Sequence, residues 1–175
     1  MKIIAFGASP SKNSINKKLA TYAAGLFEDA VVEVLDLNDY QMPLFSVDIE
    51  KIVGHHELAY AFLNKIQTAD FLVVSMAENN SNYSAAFKNL FDWCSRITGK
   101  VFQNKPMLLM ATSDGKRGGQ NVLKISTEHL PRYGADIKGV FSLPSFYENF
   151  DEEKGIISNP EFDAELKEIV KNIAL

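Results

Sequence analysis

Three stretches of this sequence concentrate residues suited to holding a small polar ligand. The first is Gly7-Ala8-Ser9-Pro10-Ser11-Lys12-Asn13-Ser14-Ile15-Asn16, with short polar side chains at Ser9, Ser11, Ser14 and Asn16 just ahead of a segment with helical period. The start of a helix exposes N–H groups that have no partner within the helix and carries a partial positive charge. Both suit an anion such as phosphate. Serine and asparagine add neutral donors without bulk. The loop lacks the Gly-Lys-Ser/Thr ending of a Walker loop and the three spaced glycines of a dinucleotide turn. A plain helix cap would use the same residue types.

The second stretch, Ala77-Glu78-Asn79-Asn80-Ser81-Asn82-Tyr83-Ser84, is dense in hydrogen-bonding groups and follows the apolar run Phe71-Leu72-Val73-Val74. The third, Ser113-Asp114-Gly115-Lys116-Arg117-Gly118-Gly119, packs three glycines into five residues. Glycines allow positive φ and close backbone approach, as a flat ring resting on backbone N–H groups would need. A solvated connection and a bare turn are the alternative readings of these two.

The elements that must position these loops are strands alternating with helices. Short apolar runs predict strands at Lys2–Phe6, Val31–Leu37, Asp70–Met76, Pro106–Thr112 and Asp136–Leu143. Apolar residues at helical spacing predict helices at Ser14–Glu28, His55–Gln67, Ser84–Ile97, Gly119–Leu130 and Pro160–Ala174, with loops around Met42–Phe45 and over 144–159. Asn13 or Ser14 can cap the first helix, and Pro160 falls in a first turn, where no N–H is missed. This alternation suits an α/β fold: a flavodoxin-like, doubly wound, five-stranded parallel sheet of order 2-1-3-4-5 with helices on both faces. The order reverses between strands 1 and 3, so a crevice opens at their carboxyl ends. The loops after strands 1, 3 and 4 meet there, and they are the three polar stretches. No repeat or linker divides the chain, so 1–175 reads as one domain.

Composition narrows the partners. A net charge of −4 with no dense Lys/Arg run argues against nucleic acid. No segment reaches the ~18 consecutive apolar residues of a membrane span, and the apolar start is too short for the core of a signal peptide. Cys94 is the only cysteine, which excludes an intrachain disulfide and points to the cytoplasm. It shares a helical face with Phe87, Leu90, Phe91 and Ile97, so it reads as core and not as a nucleophile. His55, His56 and His129 lack metal-site spacing, and the adjacent pair reads as solvated near a helix start. Phe45, Trp93, Phe102 and Phe146-Tyr147 either form an interface or complete the core beneath the loops.

Together these segments resemble the NADPH-dependent FMN reductases, a group that includes flavin, quinone, azo-dye and chromate reductases, over roughly Lys2 to Ser142. Ala8–Asn16 is similar to the family's Gly-Ser-x-Arg/Ser-x-x-Ser-x-Asn loop, with Ala8 in place of Gly and Ser11 where Arg is frequent. Ala77–Trp93 looks like the Pro-Glu-Tyr-Asn-x-Ser-x-Pro segment and the Leu-Lys-Asn-x-x-Asp-Trp that follows it. Glu78, Asn80, Lys88, Asn89, Asp92 and Trp93 agree, whereas Ala77, Asn79, Asn82 and Ser84 depart. Ser113–Gly119 is similar to Ser-x-Gly-x-x-Gly-Gly, and Asp39–Phe45 looks like a Leu-Pro-Leu-Tyr stretch.

The resemblance implies bound FMN, its phosphate held by Ser9, Ser11, Ser14 and Asn16, with Ile15 in the same loop. It places Ala77, Glu78, Asn79, Asn80, Ser81, Ser113, Gly115 and Gly118 around the ring. Asn79 removes the bulky ring that the family usually sets beside the flavin. The implied reaction passes a hydride from NADPH or NADH to the flavin and then electrons to a small acceptor, such as a quinone or free flavin, in a ping-pong scheme. The protein need not supply a strong acid or base, because the flavin would carry the redox chemistry. The resemblance also implies a homodimer or homotetramer. Two other readings stay open: a flavodoxin-like electron carrier, which the modest charge and the Asn79-Asn80 pair disfavour, and a non-catalytic ligand-binding domain. A phospho-receiver fails because Phe6-Gly7 and Met76-Ala77 stand where acidic residues would be needed, and no Gly-x-Ser-x-Gly hydrolase elbow occurs.

Overall fold

The computed structural model describes residues 1–173. Its first half runs β1 (Lys2–Ala8), α1 (Ile15–Ala24), β2 (Val31–Leu35), α2 (Val47–Val53), α3 (Glu57–Thr68), β3 (Phe71–Asn79), β4 (Asn82–Tyr83) and α4 (Ala85–Ile97). Its second half runs β5 (Lys105–Thr112), α5 (Gln120–His129), β6 (Ala135–Leu143), α6 (Phe146–Asn149), β7 (Phe150–Asp151), β8 (Ile156–Ile157) and α7 (Pro160–Asn172).

The sheet order is β2-β1-β3-β5-β6, all parallel, with β4 added antiparallel to β3. The expected doubly wound order is present, with one strand more than expected. The extra strand arises because Asn80 and Ser81 take positive φ values of 49° and 63°, the backbone of a two-residue hairpin turn. The polar loop expected after the third strand is therefore a short hairpin, and β3 runs on to Asn79.

Side-chain alternation along β1 feeds two cores. Ile4, Phe6 and Ala8 face the helices α3, α4 and α5, whereas Ile3 and Ala5 face α1 and α7. Every residue of β3 from Phe71 to Ala77 is buried, as a strand covered on both faces must be.

Several boundaries differ from expectation for local reasons. Helix α1 stops at Ala24, where the Gly25 N–H turns back onto Thr21 and Ala23 carbonyls, although Phe27 beyond it is still buried. Strand β2 stops at Leu35 because the Asp36 carboxylate accepts the Asn38 N–H and starts a 3₁₀ turn over Leu37–Tyr40. Helix α2 buries none of its residues, so it has no inward apolar stripe to read, and the cap Ser46 defines its start. The 144–159 loop contains α6 and the β7–β8 hairpin. The last helix begins at Pro160 as expected; Ala174 lies outside the described residues.

Trp93, Phe102 and Phe146 are wholly buried, so they complete the core; Phe45 is half-buried beneath Arg96, and Tyr147 is exposed. His56 is more than a solvated residue: its Nδ1 accepts the Leu58 N–H at the start of α3. Among the described residues no cluster of His, Cys, Asp and Glu could hold a metal ion, and no helix is long and apolar enough to cross a membrane.

Cys94 is fully buried, and burial pushes its thiol up to about 12. The thiolate is the reactive species. A disulfide reagent such as DTNB is therefore expected to release no chromophore from the native chain and one equivalent per chain in denaturant.

Candidate functional site at the switch point

The site starts from a contact between backbones. A Cβ added at Gly7 would stand 2.3 Å from the Lys17 nitrogen and 2.7 Å from the Asn16 carbonyl carbon. Glycine at this position lets the first turn of α1 lie directly on the end of β1. The loop between them folds on itself: the Ser9 N–H donates to the Gly7 carbonyl at 2.8 Å, and the Ser11 N–H donates to Ser9 Oγ at 3.2 Å. Ser14 caps α1 by accepting the Lys17 N–H at 3.1 Å. The N–H groups of Ile15 and Asn16, in the first turn, then find no acceptor among the described residues. They are the free donors that an anion at a helix start would take.

Lys17 and Lys18 are turned to other tasks. Lys17 pairs with Asp36 at 2.6 Å, and Lys18 pairs with Glu152. The Lys17 hydrogen bond, helped by the Asn38 N–H, holds the Asp36 carboxyl below the usual carboxylate range. This tie between α1 and the turn that follows β2 is complete at neutral pH and is lost as pH falls through the lowered value.

An open cleft of about 260 Å³ lies at the carboxyl ends of β1, β3 and β5. Ser9, Ser11, Ser14, Ile15 and Asn16 line it from the first loop; Ala77, Glu78 and Asn79 line it from the end of β3, and Ser113 from the loop after β5. Nine of the expected residues thus meet in one place.

Two of them also tie the surrounding elements together. The Asn16 side chain is buried and makes three hydrogen bonds: Nδ2 donates to the Thr112 carbonyl at 3.2 Å, while Oδ1 accepts the Thr112 N–H at 3.1 Å and the Ser75 hydroxyl at 2.7 Å. That side chain clamps α1 to β3 and β5, and what Asn16 has left for an anion is its backbone N–H and the second Nδ2 hydrogen. The Glu78 carboxylate accepts the Val122 N–H at 3.0 Å and an Asn121 amide hydrogen at 3.4 Å, so it caps α5, whose own N-cap is Gly119 with no side chain to offer.

The other four expected residues stand off the lining. Asn80 and Ser81 form the hairpin turn, and Ser81 Oγ accepts from Asn121 at 3.1 Å. The Gly115 carbonyl accepts the N–H groups of Gly118 and Ser145 at 3.1 and 3.0 Å. Gly118, at φ 56°, has no room for a side chain, since a Cβ would meet Ser142 Oγ at 2.5 Å. These four shape the loops that carry the lining residues.

Asn13, Thr112, Asp114 and Tyr147 complete the lining and were not expected there. The first three adjoin expected residues, so widening each motif by one position would have found them. Tyr147 had no local signal, because the packing of α6 brings it in. The cleft carries the carboxylates of Glu78 and Asp114 and no Lys, Arg or His. Its donors for an anion are hydroxyls and N–H groups.

A donor-lined cleft at the strand-order reversal of such a sheet defines a flavodoxin-like nucleotide-binding α/β protein. The family model described as NADPH-dependent FMN reductase matches residues 1–148, and the chain belongs to that family of flavin-dependent oxidoreductases. It is 28% identical to an NADPH:quinone oxidoreductase of Arabidopsis thaliana over 187 aligned positions, covering 100% of this chain and 89% of that one. It is 31% identical to a 2-hydroxy-1,4-benzoquinone reductase of a Burkholderia species, covering 88% of this chain and 81% of the relative. Its fold is similar to that of FerB, the NAD(P)H:(acceptor) oxidoreductase flavoenzyme of Paracoccus denitrificans, at a TM-score of 0.75 and 21% identity, covering 97% and 93% of the two chains. FMN is accordingly the cofactor and NAD(P)H the electron donor.

The cationless lining fits a phosphate held by neutral donors. Ser11 is exposed, so an arginine there costs little in folding. A charge-assisted pair at an exposed site is modest and screened by salt. Ser11→Arg is expected to tighten FMN binding about three- to tenfold in low-salt fluorescence titrations, and the gain should shrink as salt is raised.

Proposed function

We propose that this chain oxidises NADPH or NADH at an FMN seated in the switch-point cleft and delivers the electrons to a quinone or similar small acceptor. The observation that carries this reading is the convergence of all three polar loops on one cleft, with the free N–H groups of Ile15 and Asn16 at one wall. The quinone assignment draws support from the names of the relatives.

In this reading the N–H groups of Ile15 and Asn16, with the hydroxyls of Ser9 and Ser11, bind the phosphate. The end of β3 at Ala77, Glu78 and Asn79, with Ser113 across the cleft, orients the ring. Glu78 holds the hairpin and the start of α5 at a fixed separation, since one carboxylate bridges both. Bound FMN would supply hydride acceptance and electron release, so the protein need not provide a strong acid or base. Asn79, exposed where the family has a large ring, leaves room beside the flavin for donor and acceptor in turn. A homodimer or homotetramer and a cytoplasmic location remain part of the proposal; the lone buried thiol suits a reducing compartment.

The purified chain, supplied with FMN, is expected to show a flavin absorption band that bleaches with NADPH under nitrogen and returns when a benzoquinone is added. A colourless protein indifferent to FMN overturns the proposal. Slow bleaching with a stable one-electron form would instead favour an electron carrier.

A further inference from the structure

Tyr147 reaches the cleft through a chain of tertiary contacts. Ser145, before it, has left-handed backbone angles (φ 42°, ψ 60°). The Ser145 N–H donates to the Gly115 carbonyl and the Phe146 N–H to the Ser113 carbonyl, each at 3.0 Å, so the start of α6 is stitched to the loop after β5. Asn149 Nδ2 closes the turn on the Pro144 carbonyl at 2.9 Å, and the wholly buried Phe146 stacks on Phe150 with centroids 4.6 Å apart. The short helix is anchored on three sides. Its next residue, Tyr147, is 64% exposed yet lines the cleft with Ser9 and Ser11.

The Tyr147 hydroxyl has no hydrogen-bond partner among the described residues, whereas the buried Asn16 side chain, expected to serve the phosphate, already makes three hydrogen bonds to Thr112 and Ser75. The cleft also lacks any cation. A phosphate seated there is held by neutral donors alone, and a phenol beside Ser9 and Ser11 is one with reach. The geometry points to Tyr147 as the donor that completes the phosphate end of the cleft, and so as a determinant of the preference for FMN over riboflavin, which carries no phosphate. This assignment rests on FMN being the occupant of the cleft.

The test is an equilibrium titration of the full chain, stripped of flavin, with FMN and separately with riboflavin, read by quenching of flavin fluorescence. Tyr147 is exposed, so Tyr147→Phe leaves the fold intact while removing only the hydroxyl. A hydrogen bond to a charged group contributes about tenfold or more in affinity. Tyr147→Phe is expected to weaken FMN binding about tenfold and leave riboflavin unchanged, with Tyr147→Ala at least as weak toward FMN. If Tyr147→Phe keeps the full preference for FMN, or loses both flavins equally, the assignment is wrong while the FMN reading stands. If the unsubstituted chain binds neither flavin, the FMN reading fails and the assignment with it.

Discussion

Gly7→Ala is expected to lower stability by about 3 kcal/mol and weaken FMN binding at least tenfold. The added methyl would stand 2.3 Å from the Lys17 nitrogen and 2.7 Å from the Asn16 carbonyl carbon, both backbone atoms that cannot swing aside. The start of α1 must therefore lift from β1, and overpacking of this kind costs about 1–3 kcal/mol or more. Glycine to alanine in an unhindered strand or helix usually stabilises, so the sign of the effect isolates the clash. Gly99→Ala supplies the control, since a Cβ there has nothing within 4 Å. Urea unfolding of the two variants, monitored by Trp93 fluorescence, separates the cases. Equal midpoints would remove the close approach from the account of the site. The lifted helix carries the N–H groups of Ile15 and Asn16 with it, which is why flavin affinity falls together with stability.

Asn16→Leu is expected to destabilise the chain by about 2–4 kcal/mol even without flavin. It strands the Thr112 N–H, the Thr112 carbonyl and the Ser75 hydroxyl in a buried setting, and each unsatisfied group costs about 1–3 kcal/mol before relaxation. A phosphate ligand with no other duty would show its loss only when FMN is present. Thermal melts of the flavin-free protein therefore decide between clamp and ligand. An unchanged melt for Asn16→Leu, with weakened FMN binding, would return Asn16 to the expected ligand role. Asn16→Asp adds a sign test. Its second oxygen would face the Thr112 carbonyl, and burial would raise its folded-state pKa above the unfolded value. The charged form is then the destabilised one, so this variant should recover stability as pH falls toward the unfolded carboxyl value near ~4.

The helix faces show why much of the fold was legible. Leu19 and Ala23 on α1, Phe62 and Ile66 on α3, and Phe87, Leu90, Phe91 and Cys94 on α4 repeat at helical spacing because each face meets a sheet. The boundaries that moved lack such a face. Helix α2 has no fully buried residue and leans on the core through Ile49 alone, and the hairpin depends on two positive φ values at Asn80 and Ser81, residues that a polar loop would equally contain.

The sequence by itself determined the alternation of strand and helix, the strand order that follows from it, and the three polar loops at one sheet edge. Periodicity and residue type act over a few neighbours, and those neighbours are adjacent in the chain. Only the tertiary structure decided what each polar group does once there. Asn16 meets Thr112 across 96 positions and Ser75 across 59, and Glu78 meets Val122 across 44, so these hydrogen bonds have no local trace. The same holds for Tyr147, which enters the cleft because Gly115 and Ser113 carbonyls hold the backbone just before it. A side chain's partner in a folded chain is set by how distant segments pack against one another, and that is settled only when the sheet and its helices are assembled.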